Sequence, residues 1–122
     1  MPGPHAFADY VVELLAPLGS VHARRMFGGH GVYCDGVMFA LIADDVLYFK
    51  ADAATRASFE QAGSEPFTYE ARGRRTVMSY WRAPDEAMDA PEAALPWARE
   101  AYAAALRSRA ASSTARRLTR RK

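Results

Sequence analysis

The residues whose types and spacing could do chemistry are a glycine cluster, one thiol, three histidines and two carboxylate pairs. Phe27-Gly28-Gly29-His30-Gly31 has the glycine density of a phosphate loop. It lacks the Gly-Lys-Ser/Thr of a nucleotide loop and the glycine spacing of a dinucleotide fingerprint. Both of those aim the N–H groups of a helix start at phosphate, whereas a strand-like run follows here. The cluster therefore predicts a structural bend or an interface: a bulge, or a place where another backbone comes close. His30 and Cys34 are two alternation steps apart and can share one face of a strand. A zinc site needs about four ligands, or three and water, and only His5 and His22 remain, with no second cysteine. Nothing in the sequence acidifies Cys34 or orients a histidine beside it, so a Cys–His nucleophile is not suggested. Asp44-Asp45 and Asp85-Glu86 fall at turns, where carboxylates bond their own backbone and stay solvated. General acid–base work needs a carboxyl moved off its usual pKa by burial. The residues thus predict no catalytic group, no cofactor and no metal ligand. A small-molecule or metal-binding protein using the glycine-rich bend is the weakest of the readings kept.

Charge is the stronger feature. Of sixteen basic residues seven lie in 107–122, where there is no acid; residues 1–106 hold nine bases and fourteen acids, a net of −5. Arg116, Arg117, Arg120, Arg121 and Lys122 make the end of the chain basic, and Arg72-Gly73-Arg74-Arg75 is a second basic segment. Both are candidate contacts for nucleic acid or an acidic partner, by counterion release or ion pairing. No aromatic interleaves the terminal run, so base stacking is not implied.

The elements that position these residues follow from periodicity. Phe7, Tyr10, Val11, Leu14, Leu15 and Leu18 trace one face of a helix that Pro17 and Gly19 end. Val21 to Phe27 reads as a strand, interrupted by the glycines and resumed at Val32-Tyr33-Cys34. Asp35-Gly36 is a two-residue hairpin signal. Val37 to Ala43 and Val46 to Phe49, joined by Asp44-Asp45, complete a meander. Asp52 heads a short helix to about Ala62, closed by Gly63. A second hairpin, Phe67 to Glu70 and Thr76 to Trp81, turns at Arg72-Gly73. Asp89-Ala90-Pro91-Glu92 starts a last helix running to about Ser108, with Leu95, Ala98, Tyr102 and Leu106 as its apolar stripe and an awkward Pro96. The fold class expected is α+β: two layers, an antiparallel sheet of five or six strands and three helices mainly on one side, in the order α-β-β-β-β-α-β-β-α. The domain spans 1–108, and 109–122 reads as a basic tail without structure of its own.

With 122 residues, 50% of them apolar, the chain has room for one domain with a real core. A single cysteine excludes an internal disulfide. The start carries no secretory pattern, and no apolar run nears the roughly 20 residues needed to span a bilayer. A reduced cytoplasm is the expected location.

Arg25-Met26-Phe27-Gly28-Gly29-His30-Gly31-Val32-Tyr33 and Asp35-Gly36-Val37-Met38-Phe39-Ala40-Leu41-Ile42-Ala43-Asp44-Asp45 closely resemble the N-terminal domain of the TfoX/Sxy competence-regulator family. So do Leu47-Tyr48-Phe49-Lys50, Gly63-Ser64-Glu65-Pro66-Phe67-Thr68-Tyr69 and Met78-Ser79-Tyr80-Trp81. The resemblance runs from about Phe7 to Leu106 and implies a single-domain member. It implies an antiparallel two-layer domain and a bacterial protein of transcriptional control of DNA uptake, acting through other proteins rather than as an enzyme. No catalytic residue is carried over. The leading expectation is an interaction module that binds a protein partner or a second copy of itself through an exposed sheet face or the Phe27–Gly31 bend. Tyr33, Tyr48, Tyr69 and Trp81 exceed what one small core needs. A weak nucleic-acid binder led by the basic end is the alternative.

Overall fold

The computed structural model describes residues 5–26 and 28–120, with side chains through Ser112. Helix α1 (Ala6–Leu15) leads into strands β1 (Val21–Met26), β2 (Gly29–Cys34), β3 (Val37–Ala43) and β4 (Val46–Lys50). Helix α2 (Arg56–Gln61), strands β5 (Pro66–Ala71) and β6 (Arg74–Arg82) and helix α3 (Pro91–Arg120) follow. The six strands form one antiparallel sheet in the order β1-β2-β3-β4-β6-β5. This is the α+β class and element order that the periodicity predicts.

Three two-residue turns set the meander and the second hairpin. Asp35 and Gly36 (φ 49° and 77°), Asp44 and Asp45 (51° and 58°) and Arg72 and Gly73 (53° and 74°) each have two consecutive positive φ values. That is the condition for the turn whose twist matches the flanking strands. The glycine cluster differs from expectation. It does not interrupt a strand, because β2 begins at Gly29 and takes in Gly31, and the break between β1 and β2 is confined to the residues just before it.

The core lies on one face of the sheet. Val32, Ala40, Ile42, Leu47 and Phe49 pair across β2, β3 and β4 and so point the same way. With Val11, Leu14 and Leu15 of α1, Phe59 of α2 and Ala94, Ala98, Ala101 and Ala105 of α3 they form a continuous buried cluster. The register between β2 and β3 shifts after Val32, which pairs with Ala40 while Tyr33 pairs with Met38. Phe39, the residue left between, is fully buried and meets Tyr102 of α3 edge-on, with ring centres 6.1 Å apart.

Helix α3 departs from the sequence expectation twice. Its buried stripe is made of alanines, and Leu106 is 42% exposed. Small side chains let the helix lie close on β3 and β4, which larger residues at those positions would prevent. The helix also continues to Arg120, past the end expected near Ser108 and through the stretch read as tail. No proline or glycine follows Pro96, and alanine and arginine are strong helix formers. Pro96 sits in the second turn of the helix and removes one interior N–H.

Candidate functional site

The second face of the sheet carries no helix among the described residues. Pairing places His22 and Arg24 of β1, Tyr33 of β2, Met38 and Leu41 of β3, Tyr48 and Lys50 of β4, and Tyr80 and Arg82 of β6 on it. Leu41 is buried there, outside the core cluster of the opposite face. What covers it is an aromatic layer.

At the β1–β2 side the Tyr33 ring is stacked by His22, with centres 5.5 Å apart and planes 11° apart, and Arg24 lies 5.8 Å from its centre. The layer closes over Gly31. A Cβ at that position would meet Met26 Sδ at 2.9 Å, Tyr33 Cε1 at 3.0 Å and Met38 Sδ at 3.2 Å. Toward the other edge, Tyr48 packs against Phe67 of β5 at 4.8 Å. Lys50 lies 5.2 Å from the Tyr80 ring and donates to Ser79 Oγ at 2.6 Å. Burial pushes the Tyr48 and Tyr80 phenols up and the Lys50 ammonium down from their ordinary values. The phenols stay neutral at physiological pH and serve as hydrogen-bonding, apolar-bodied surface. The face therefore has an aromatic centre and a rim of cations.

The glycine motif has a defined geometry. Gly28 adopts φ +80°, a conformation that costs a side chain, in open space. A Cβ on Gly29 would fall 2.1 Å from the Ile42 carbonyl oxygen of β3. Backbone approaches backbone there, and a side chain has no room. His30 faces the helix side and meets His5 edge-on at 5.4 Å. Phe27 lies outside the described residues. Cys34 is buried at the far end of β2, and burial, with Asp35 second, pushes its thiol up. That state is inert. No group of three or more His, Cys, Asp or Glu side chains among the described residues converges on a point that could hold a metal.

The other residues singled out from sequence are scattered. Arg72, Arg74 and Arg75 are exposed around the β5–β6 turn. Arg116, Arg117 and Arg120 lie on the last turns of α3, and Arg121 and Lys122 fall outside the described residues. Asp44 and Asp45 are exposed at a turn, whereas Asp85 and Glu86, expected at one, are exposed at the start of a short 3-10 helix, Asp85–Met88. Of the four aromatics expected at an interface, Tyr33 and Tyr48 lie on the uncovered face and Tyr69 is 52% exposed. Trp81 does not belong with them: it points into the core side and packs on Phe59 at 6.1 Å. It pairs with Phe49, and pairing partners share a face.

Sequence reasoning missed Tyr80, Phe67 and Lys50 as parts of the layer. Their signal was alternation along β4 and β6, but which phase faces the helices depends on strand pairing. It also missed a concavity of about 480 Å³ between α2 and α3, lined by Thr55, Ser58, Phe59, Pro96 and Trp97. Asp52, read as a helix cap, accepts from the Ala54 N–H at 3.0 Å and from Arg107 Nε at 2.7 Å and Nη2 at 3.1 Å. It thereby ties the head of α2 to α3.

Residues 13–105 match the family described as TfoX N-terminal domain. The chain is 33% identical over 64 residues to the DNA transformation protein TfoX1 of Aliivibrio fischeri, covering 52% of this chain and 31% of the relative. It is 30% identical over 76 residues to Protein Sxy of Escherichia coli, covering 62% of this chain and 36% of the relative. The matched stretch spans about a third of the length of each of these curated relatives.

Proposed function

Because the chain belongs to the TfoX N-terminal domain family, we propose that it is a non-enzymatic interaction module in the control of DNA uptake genes, acting in the bacterial cytoplasm through a protein partner. Docking uses the uncovered sheet face. The observation that carries the reading is the aromatic layer of Tyr33, Tyr48, Phe67 and Tyr80, rimmed by His22, Arg24, Lys50 and Arg82 on a face that no helix shields among the described residues. Protein interfaces have this anatomy: aromatic and Arg-rich, with apolar anchors inside a polar rim. A relative bears the name of a DNA transformation protein, which suggests the process served. A face whose described side chains include no activated nucleophile or general base supports a non-catalytic role.

The test uses Tyr48→Ser and Arg82→Glu, two substitutions at the face that leave the core untouched. Affinity purification from the native host and transcript measurement of the DNA uptake genes are run side by side. The expected result is one partner of the transcription apparatus that co-purifies with wild type and is lost with either variant, and transcripts that fall in step. Unchanged transcripts with folded variant protein would end the proposal.

A further inference from the structure

The end of the sheet marked by the Asp35–Gly36 turn gathers cations from two elements far apart in sequence. β4 stops at Lys50, which pairs with Tyr80. Beyond Ser79, whose carbonyl accepts from the Ala51 N–H at 2.8 Å, residues 74–78 of β6 run on with only β5 beside them. They make a two-stranded ribbon closed by the tight turn at Arg72 and Gly73. Tyr69 and Val77, 52% and 64% exposed, show how little the body covers it. Helix α3 leaves the body at the same end. Its Ser108, Arg109 and Ser112 line a cleft of about 330 Å³ with Tyr33, Lys50 and Tyr80. From Leu106 onward each of its described side chains is exposed.

Cross-strand pairing sorts the ribbon's side chains by face. Glu70 opposes Arg75 and Thr68 opposes Val77 on one face; Tyr69 opposes Thr76 and Ala71 opposes Arg74 on the other. The second face presents a guanidinium and two hydroxyls with no acid. The ion pair found among the described residues joins Arg107 to Asp52. Arg72, Arg74, Arg75 and Arg109 have no carboxylate within bridging distance there. Asp35, Asp52 and Glu70 are the acids near this end, whereas Asp44, Asp45, Asp85 and Glu86 sit at the opposite end.

We propose that this end is a two-armed seat for the phosphate backbone of duplex DNA, with the β5–β6 ribbon as one arm and α3 from Arg109 onward as the other. A two-stranded ribbon and a helix are the shapes that the major groove admits. Arginines and hydroxyls supply most phosphate contacts. An acidic protein is the less suited occupant, because protein interfaces depend on clustered apolar anchors. Tyr69 and Val77 stand on opposite faces of the ribbon and cannot form such a cluster.

The test is fluorescence anisotropy of the full chain on a labelled mixed-sequence duplex, across a fourfold rise in salt. Two variants are compared with wild type: Arg74→Gln with Arg75→Gln on the ribbon, and Arg109→Gln with Arg116→Gln and Arg117→Gln on the helix. Arg74, Arg75 and Arg109 are exposed, and circular dichroism checks that each variant is folded. Both variants are expected to bind more weakly. Each neutralised phosphate contributes about 0.9 to the slope of log affinity against log salt. The ribbon variant's slope is thus shallower by about 1.8, and over that salt range its affinity falls about 12-fold less than that of wild type. A ribbon variant that binds like wild type overturns the two-armed seat, leaving the helix end alone. Salt-independent binding overturns it too, as does displacement of the duplex by polyglutamate at equal charge, which would assign the surface to an acidic protein.

Discussion

Replacing Gly29 with alanine tests the bend where β2 meets β3. The added Cβ would lie 2.1 Å from the Ile42 carbonyl oxygen and 3.2 Å from its carbonyl carbon. Carbon and oxygen do not approach within about 3 Å without repulsion, so β2 and β3 must separate by about 1 Å at this pair. The obstacle is backbone inside a sheet and cannot rotate away. Overpacking of this kind costs about 1–3 kcal/mol where side chains can yield, and the upper end applies to main chain. For a domain of this size about 3 kcal/mol lowers the melting temperature by about 12 °C. Two neighbours calibrate the result. Gly28→Ala adds a Cβ in open space at φ +80° and costs only the left-handed conformation, about 1–2 kcal/mol. Gly31→Ala meets two methionine sulfurs and a tyrosine edge, flexible groups that can shift, at about 1 kcal/mol. Thermal and urea unfolding followed by circular dichroism should rank the losses Gly29, Gly28, Gly31. A Gly29→Ala protein that melts within about 2 °C of wild type would refute the close-approach account of the motif.

Phe59→Ala should lower stability by about 3–5 kcal/mol and change tryptophan fluorescence, since the ring is buried between Trp81 and Trp97; urea midpoints with emission spectra measure both. The Cys34 thiol, buried and pushed up by desolvation, should react with a thiol reagent at pH 8 only as fast as the domain unfolds, and reaction at the rate of a free thiol would contradict its burial. Arg107 holds the Asp52 carboxyl below the usual carboxylate range. Its contribution is therefore present above the ordinary Asp pKa and fades as pH falls through the lower folded value. Asp52→Asn should cost about 1 kcal/mol at pH 7, the pair being partly screened, and the gap to wild type should narrow in acid when melting is followed from pH 7 to pH 3.

Local rules made most of the fold legible. Asp35-Gly36 and Arg72-Gly73 specify their turns because few residues accept positive φ, and the observed angles agree. The heptad-like spacing from Phe7 to Leu18 reports a face that is buried wherever the helix docks. What sequence could not reach depended on pairing between distant strands. The phase of β4 and β6 decides that Tyr48, Lys50 and Tyr80 share the uncovered face while Trp81 points to the core, and nothing local separates these aromatics. The glycines were misjudged as an interruption because glycine weakens an isolated strand. Here the Ile42 carbonyl oxygen and the sulfur-rich layer fill the space that side chains would occupy. In α3 the large residues drew attention as the stripe, although close approach to a sheet favours alanine.

The alanine face of α3 also has a consequence for synthesis. The six strands are complete by Arg82, but Phe39, Phe49 and Leu47 are shielded in part by residues 94–105. A nascent chain that has emerged only as far as β6 presents a sticky sheet with its cover still inside the ribosome. The covering turns of residues 94–105 come last among the core elements, so the sheet stays open to wrong partners until they have emerged.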